Sequence, residues 1–338
     1  MKQPILKRTF KFLGLLAALL ILLVVIYLIW PVKTVDLKYQ YPTVPNSAAE
    51  LENYVQQKEA SIQEIKEGNA AQIVWADSSK TQTDYVLVYL HGFSASHEEG
   101  GTVPEQIAEY FGMNLYLSRL SRHGLKGVDG MKTLTAKNLM DSALEAVAIG
   151  KSLGKRVILM GTSTGATLGL PIMANDPSIH SGIFYSANIN LADSKSDLLT
   201  KPFGLSIAKM VLGSDYYSFD PPPGADQYWT TKYPIEATIE LQTLLNSTMH
   251  EATFEKIKQP VLLVSYYKDE ANQDDVVSVQ AIRDCYQQLS TREGMKKYVE
   301  LSSVEGHAMC SPFFSKDVVR PYREAREFME ANLSIWPR

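Results

Sequence analysis

Apolar positions along this chain fall into three regimes. Residues 12–30 form an unbroken run of nineteen without a single charge. At about 1.5 Å per residue, such a helix spans roughly the 30 Å hydrocarbon core of a bilayer. It is apolar all round rather than on one face, which sets it apart from a core helix of a soluble domain. Residues 32–46, set off by Pro31 and broken by Pro42 and Pro45, have little periodicity and read as an extended stalk. At Ser47, an N-cap with Glu50 three residues on, a helical pattern begins that takes in Leu51, Tyr54, Val55, Ile62 and Ile65.

From Gln72 onward the pattern alternates. Short apolar runs at 72–75, 85–90, 114–117, 157–160, 182–185, 261–267 and 298–301 predict strands. Amphipathic or small-residue stretches at 104–111, 136–153, 165–174, 277–289 and 317–331 predict the helices between them. Strand–helix alternation implies a mostly parallel sheet covered on both faces, an α/β fold. One interval departs from this rhythm. Some seventy residues before 261 show no strand pattern, yet hold Phe203, Tyr216, Tyr217, Phe219, Tyr228 and Trp229. So many large rings argue for an inserted cap over the sheet end, at about 190–258, rather than a surface excursion. The expected organisation is a tail (1–11), a transmembrane helix (12–30), a stalk with a packing helix (31–70) and one α/β domain (71–338).

Composition refines this picture in three ways. The 338 residues carry a net charge of −4, and Lys2, Lys7, Arg8 and Lys11 precede the apolar run, so the body is more acidic still. An acidic body without a basic stripe excludes nucleic acid as the expected partner. The basic tail keeps the N-terminus in the cytoplasm and puts the body on the extracytoplasmic side of the membrane. A cleaved signal peptide is the rival, but Tyr27-Leu-Ile-Trp-Pro31 offers no small-residue cleavage site. Finally, Cys285 and Cys310 lack metal-ligand spacing and are expected as free thiols.

The candidate chemistry centres on Gly161-Thr-Ser163-Thr-Gly165, which joins the strand at 157–160 to the helix at 165–174. A serine on a sharp strand-to-helix turn is exposed to its partners and sits beside free N–H groups, and flanking glycines remove clashing Cβ atoms. Such a nucleophile needs a base, an acid and oxyanion donors. His307, after the strand at 298–301, is the expected base. Asp269 and Asp274 both follow the strand at 261–267. Counting from Pro260 favours Asp269; counting back from Val276-Val277, taken as the next helix start, favours Asp274, which is preferred. His250 is expected mid-helix within the cap, away from the chemistry. The backbone N–H groups of Phe93 and Thr164 are the candidate oxyanion donors. His91, Gly92, Arg122 and His123 are candidate substrate contacts, with His91 more a brace for its loop than a titrating group. His97-Glu98-Glu99 is not a metalloprotease signature, and no metal or phosphate loop is present.

Taken together, His91-Gly92-Phe93, Arg122-His123-Gly124, Gly161-Thr-Ser163-Thr-Gly165, an aspartate after Tyr267 and Gly306-His307 resemble the α/β-hydrolase superfamily. Within it, the chain is similar to serine carboxylesterases and to monoacylglycerol-lipase-like or lysophospholipase-like members. The resemblance implies a Ser–Asp–His triad acting on a small-molecule ester through an acyl-enzyme, without a cofactor. The same triad would serve a thioesterase or acyltransferase, and a non-catalytic binding protein of this fold would be expected to have lost a triad member. Neither the acyl chain, the alcohol nor the oligomeric state is legible in these motifs.

Overall fold

A computed structural model describes residues 3–337. Met1 and Lys2, the start of the expected basic tail, lie outside the described residues. The first element, α1 (Gln3–Ile29), takes up the rest of that tail and the apolar run. Lys11–Ile29 is long and apolar enough to cross a membrane, and none of that stretch is buried against the body. A signal sequence would share these properties.

The next segment, residues 31–46, is extended, as expected, but it does not stand clear of the body. Val35, Leu37, Tyr39, Tyr41 and Val44 turn inward and pack on the core. Polar ties fasten the same strap: Val35 N–H donates to Ser247 Oγ at 2.9 Å, and Tyr41 OH donates to Asp176 at 2.5 Å. Helix α2 (Ala48–Ala60) starts at the Ser47 cap as expected, but stops before Ile62 and Ile65. Ile65 instead pairs in a β-bridge with Leu125.

The central sheet then forms from β1 (Gln72–Val74), β2 (Thr83–Leu90), β3 (Asn114–Leu117), β4 (Gly154–Thr162) and β5 (Ser181–Tyr185). Interleaved are α3 (Val103–Phe111), α4 (Ala136–Leu153) and α5 (Thr164–Asn175). The interval read as strandless carries a small antiparallel hairpin, β6 (Tyr216–Ser218) with β7 (Lys232–Pro234). It also carries α6 (Gly204–Leu212), α7 (Ile235–Thr248) and α8 (Glu251–Phe254). The two hairpin strands are three residues each, too short for a period-2 pattern to register. The sheet resumes with β8 (Val261–Asp269), the short β9 (Asn272–Gln273), α9 (Val279–Gln288), β10 (Lys296–Leu301) and α10 (Val319–Leu333).

Strand order is β1-β3-β2-β4-β5-β8-β10, all parallel except β1, with β9 folded back antiparallel on β8. Strands β2, β4 and β5 are buried on both faces, which is why they read as near-continuous apolar runs rather than alternating ones. One core layer lies under α4, α5 and α9, and a second lies under α3 and α10. Cys285 belongs to the first and Cys310 to the second, both as buried free thiols. Because the strands are parallel, the loops after β2, β3, β4, β5, β8 and β10 all emerge at one sheet edge. Ligands bind at this edge in open α/β sheets.

Candidate active site

The turn from β4 into α5 is the tightest point of the fold. Ser163 has φ 55° and ψ −114°, a region costing a non-glycine residue roughly 1–3 kcal/mol. The surrounding backbone holds it there. Ser163 N–H donates to Tyr185 O at 2.9 Å, and its carbonyl accepts from Ala166 and Asn188 N–H at 3.0 and 3.2 Å. The flanking glycines are required by packing. A Cβ at position 165 would stand 1.9 Å from Leu90 O, and one at 161 would stand 2.9 Å from the Gly165 carbonyl carbon. Ser163 caps α5, whose first residue is Thr164, so the opening N–H groups of that helix have no partner within it.

Beyond β5 the chain connects this turn to the histidine loop. Ser186, adjacent to the Tyr185 that receives the Ser163 amide, donates its hydroxyl to His307 O at 2.7 Å. His307 Nδ1 in turn lies 2.8 Å from Asp274 Oδ2 and 3.0 Å from Oδ1. The Asp274 side chain is fully buried, and its Oδ1 accepts from the Val276 and Val277 N–H groups at 3.0 and 3.1 Å. Those two valines therefore form a turn around the aspartate and do not begin a helix; Ser278 caps α9 instead. Burial alone would push His307 down, but the Asp274 carboxylate outweighs it and holds the imidazole above its ordinary value. Burial likewise works to raise Asp274, and His307 with the two amides keeps it below the usual carboxylate range. Nδ1 thus carries the proton toward Asp274, leaving Nε2 as the other ring nitrogen.

Asp269 does not join this group. It ends β8 in the exposed hairpin with β9, where it accepts from Ala271 and Asn272 N–H and from the Asn272 side chain. This hairpin carries the chain past Asp269 before it returns to Asp274. His250 sits not mid-helix but at the break between α7 and α8.

The loop after β2 places Phe93 at the edge of the site. Its ring meets His123 and Tyr233 edge-on at 5.6 and 5.4 Å. Among the candidate contacts, His91 has the surroundings of a brace, as expected, whereas His123 is closed in by burial and Arg122 faces another cavity. His91 is wholly buried, with Nδ1 on Gly92 O at 2.8 Å and Nε2 accepting from Leu120 N–H at 3.0 Å. Burial depresses it well below its ordinary value, so it is a neutral brace between the β2 and β3 loops. His123 is equally buried, and burial pushes it down to about 4. Arg122 is exposed and lines a separate cavity of about 740 Å³ with Tyr41, Lys58 and Asp141. The arginine that organises this loop is Arg119, paired with Glu59 at 2.7 Å and donating to His123 O at 3.2 Å.

The insertion packs over this edge. Thr230 N–H donates to Ser94 O at 2.6 Å, and Trp229 and Ala225 pack with Ala95 of the β2 loop and Ala308 beside His307. Of the aromatics that argued for a cap, Trp229 is buried and Tyr228 and Phe219 join its cluster. Phe203 and Tyr217, by contrast, are exposed.

A residue that sequence reasoning passed over is Glu99, buried beneath the β2 loop. It appeared only as part of a rejected metal motif, because nothing in His97-Glu98-Glu99 shows which glutamate turns inward.

A scan against protein-family models finds no match, and neither does a search of curated proteins. Solved structures do match over most of the chain. A structure described as LipS and LipT, two metagenome-derived lipolytic enzymes, is 15% identical over 79% of this chain and 99% of its own, with a TM-score of 0.64. The monoacylglycerol lipase of Paleococcus ferrophilus is 17% identical over 78% and 98%, with a TM-score of 0.56. Est1E from Butyrivibrio proteoclasticus is 15% identical over 78% and 94%, at 0.52. Identities this low speak to architecture alone, and on architecture the chain has the α/β-hydrolase fold.

Proposed function

We propose that this protein is a membrane-anchored serine hydrolase that cleaves carboxylic esters with acyl or lipid-like character. The observation that carries the reading is the buried Asp274–His307 pair at the same sheet edge as a serine in strained backbone. In the proposed reaction His307 Nε2 takes the Ser163 proton as Oγ bonds to the ester carbonyl carbon. The carbonyl oxygen becomes an oxyanion held by the Phe93 and Thr164 N–H groups. On collapse the alkoxide leaves with the proton from His307. Water then gives its proton to His307, attacks the acyl carbon, and releases the carboxylic acid as Ser163 recovers its hydrogen. The Asp274 carboxylate orients the ring and offsets the imidazolium charge in both halves.

Fluorophosphonate probes react with activated serines of this kind. The full chain in its membrane is expected to label covalently and to hydrolyse a nitrophenyl acyl ester. A chain that resists labelling beside a labelled control esterase overturns the proposal.

The membrane part of the reading rests on α1 and is supported by a second surface. Lys33 N–H donates to Thr200 O at 3.2 Å, and Lys201 Nζ reaches Leu28 O, so the end of the apolar helix abuts the insertion. There α6 leaves Met210 and Val211, with Phe203 just before it, about three-quarters exposed (75%, 77% and 78%). An apolar face of this kind beside a membrane helix is suited to the lipid interface. In the proposed topology the basic tail is cytoplasmic and the hydrolase domain, with the insertion as its cap, rests on the opposite leaflet. Since both native cysteines are buried, Met210→Cys can be labelled selectively with a fluorophore in vesicles. Nitroxide lipids are expected to quench it several-fold more than the same label on Val319→Cys, as roughly expected for insertion 5–10 Å deep. Equal quenching at both positions sinks the docking of α6.

A further inference from the structure

A carboxylate with no cationic partner is costly to bury, and retention of one calls for a reason. Glu99 lies in the one-turn helix His97–Gly100 between β2 and α3 and is 2% exposed. It makes no ion pair with a lysine or arginine among the described residues. Instead its Oε2 accepts the Gly92 N–H at 2.5 Å. A Cβ on residue 92 would stand 2.6 Å from Oε1, so the backbone closes on the carboxylate only because residue 92 is glycine. Gly92 directly precedes Phe93, whose amide is the proposed oxyanion donor.

The groups facing Glu99 come from three sides. Tyr89 on β2, its hydroxyl paired with Thr162 Oγ1 at 3.0 Å, stands on one side; His307 and Cys310 approach from the loop after β10; His97 and Glu98 flank it on its own turn. Of these His307 is the one that acquires a positive charge in the proposed reaction. We propose, resting on the hydrolase reading above, that Glu99 is a positioning residue of the same site: its carboxylate clamps the turn that presents the Phe93 N–H and sets a second negative charge beside His307. The Asp274 carboxylate lies on the Nδ1 side of the ring, so the imidazolium is stabilised by two buried carboxylates rather than one.

Burial pushes Glu99 up to about 7, against the pull of the Gly92 amide, His307 and the Tyr89 hydroxyl. The working form therefore needs Glu99 ionised and His307 neutral. Both conditions fail on acidification, and a pair this close titrates in two macroscopic steps. The acid limb of kcat/KM should consequently fall toward a two-proton slope.

Glu99→Gln keeps the shape and an acceptor for Gly92 but removes the charge. With a nitrophenyl ester it is expected to lower kcat roughly tenfold with KM within about twofold. Its acid limb should become one-proton and move to lower pH, because His307 loses a charge that raises it. An unchanged kcat with an unchanged limb overturns the proposal. Should the variant fail to fold, the unmodified protein decides. Its rate of fluorophosphonate inactivation against pH is expected to show the two-proton limb, and a one-proton limb overturns the role of Glu99 alone. Absence of inactivation at every pH overturns the hydrolase reading and Glu99 with it.

Discussion

Ser163→Ala is expected to abolish fluorophosphonate labelling and to lower kcat on a nitrophenyl ester by roughly a millionfold, to the rate that binding and oxyanion donors alone sustain. The size of the effect follows from the local geometry. The Ser163 side chain is the one presented by the β4–α5 turn. Of the neighbouring hydroxyls, Ser186 donates to His307 O and Thr162 pairs with Tyr89, while that of Thr164 is buried beside the helix start and does not occupy the Ser163 position. No substitute nucleophile stands at the same point. Stability should change little, because the strained backbone is held by main-chain bonds to Tyr185, Asn188 and Ala166 that alanine keeps. Urea unfolding of the variant checks this: a midpoint near that of the unmodified protein, with labelling lost, separates chemistry from folding. Labelling that persists at full rate in Ser163→Ala would mean that another serine reacts, and the proposed mechanism would fall.

Much of this arrangement is legible in the chain because it depends on local rules. The parallel strands are buried on both faces, so their apolar runs stand out without any knowledge of partners. The serine turn is legible because two glycines face the end of β2, with Leu90 O 1.9 Å from where a Gly165 Cβ would be. What escapes depends on contacts distant in sequence. The segment 31–46 has no intrinsic pattern to reveal that Tyr41 reaches Asp176, 135 residues away. His123 looks like a ligand-binding group in a list of loop residues, yet tertiary packing closes it into the interior. Glu98 and Glu99 are adjacent and chemically identical, and only the fold turns the second toward Gly92 while the first stays at the surface.

The two aspartates after β8 provide the most discriminating comparison, since sequence spacing alone permits either. Asp274→Asn is expected to reduce kcat by about four orders of magnitude near neutral pH, and Asp269→Asn to leave it within about twofold. The asymmetry comes from what each carboxylate touches. Asp274 accepts the Nδ1 proton of His307 and two backbone amides in full burial. An asparagine amide there can offer its own N–H to Nδ1, which selects the tautomer with the proton on Nε2, where it cannot accept from Ser163. Asp269 is held below the usual carboxylate range by Asn272 and neighbouring amides in a solvent-facing hairpin, and its neutralisation alters that turn alone. The pH profile supplies a second, independent reading. The active imidazole is neutral, so activity in the unmodified protein rises with pH through a His307 value lying above the ordinary one. Removing the Asp274 charge takes away the attraction that raised it, so the residual activity of Asp274→Asn should rise at lower pH than in the unmodified protein, while Asp269→Asn keeps the original limb. A collapse in Asp269→Asn with Asp274→Asn intact would instead make the surface hairpin the acid loop and require the chain after β8 to shift register by five residues.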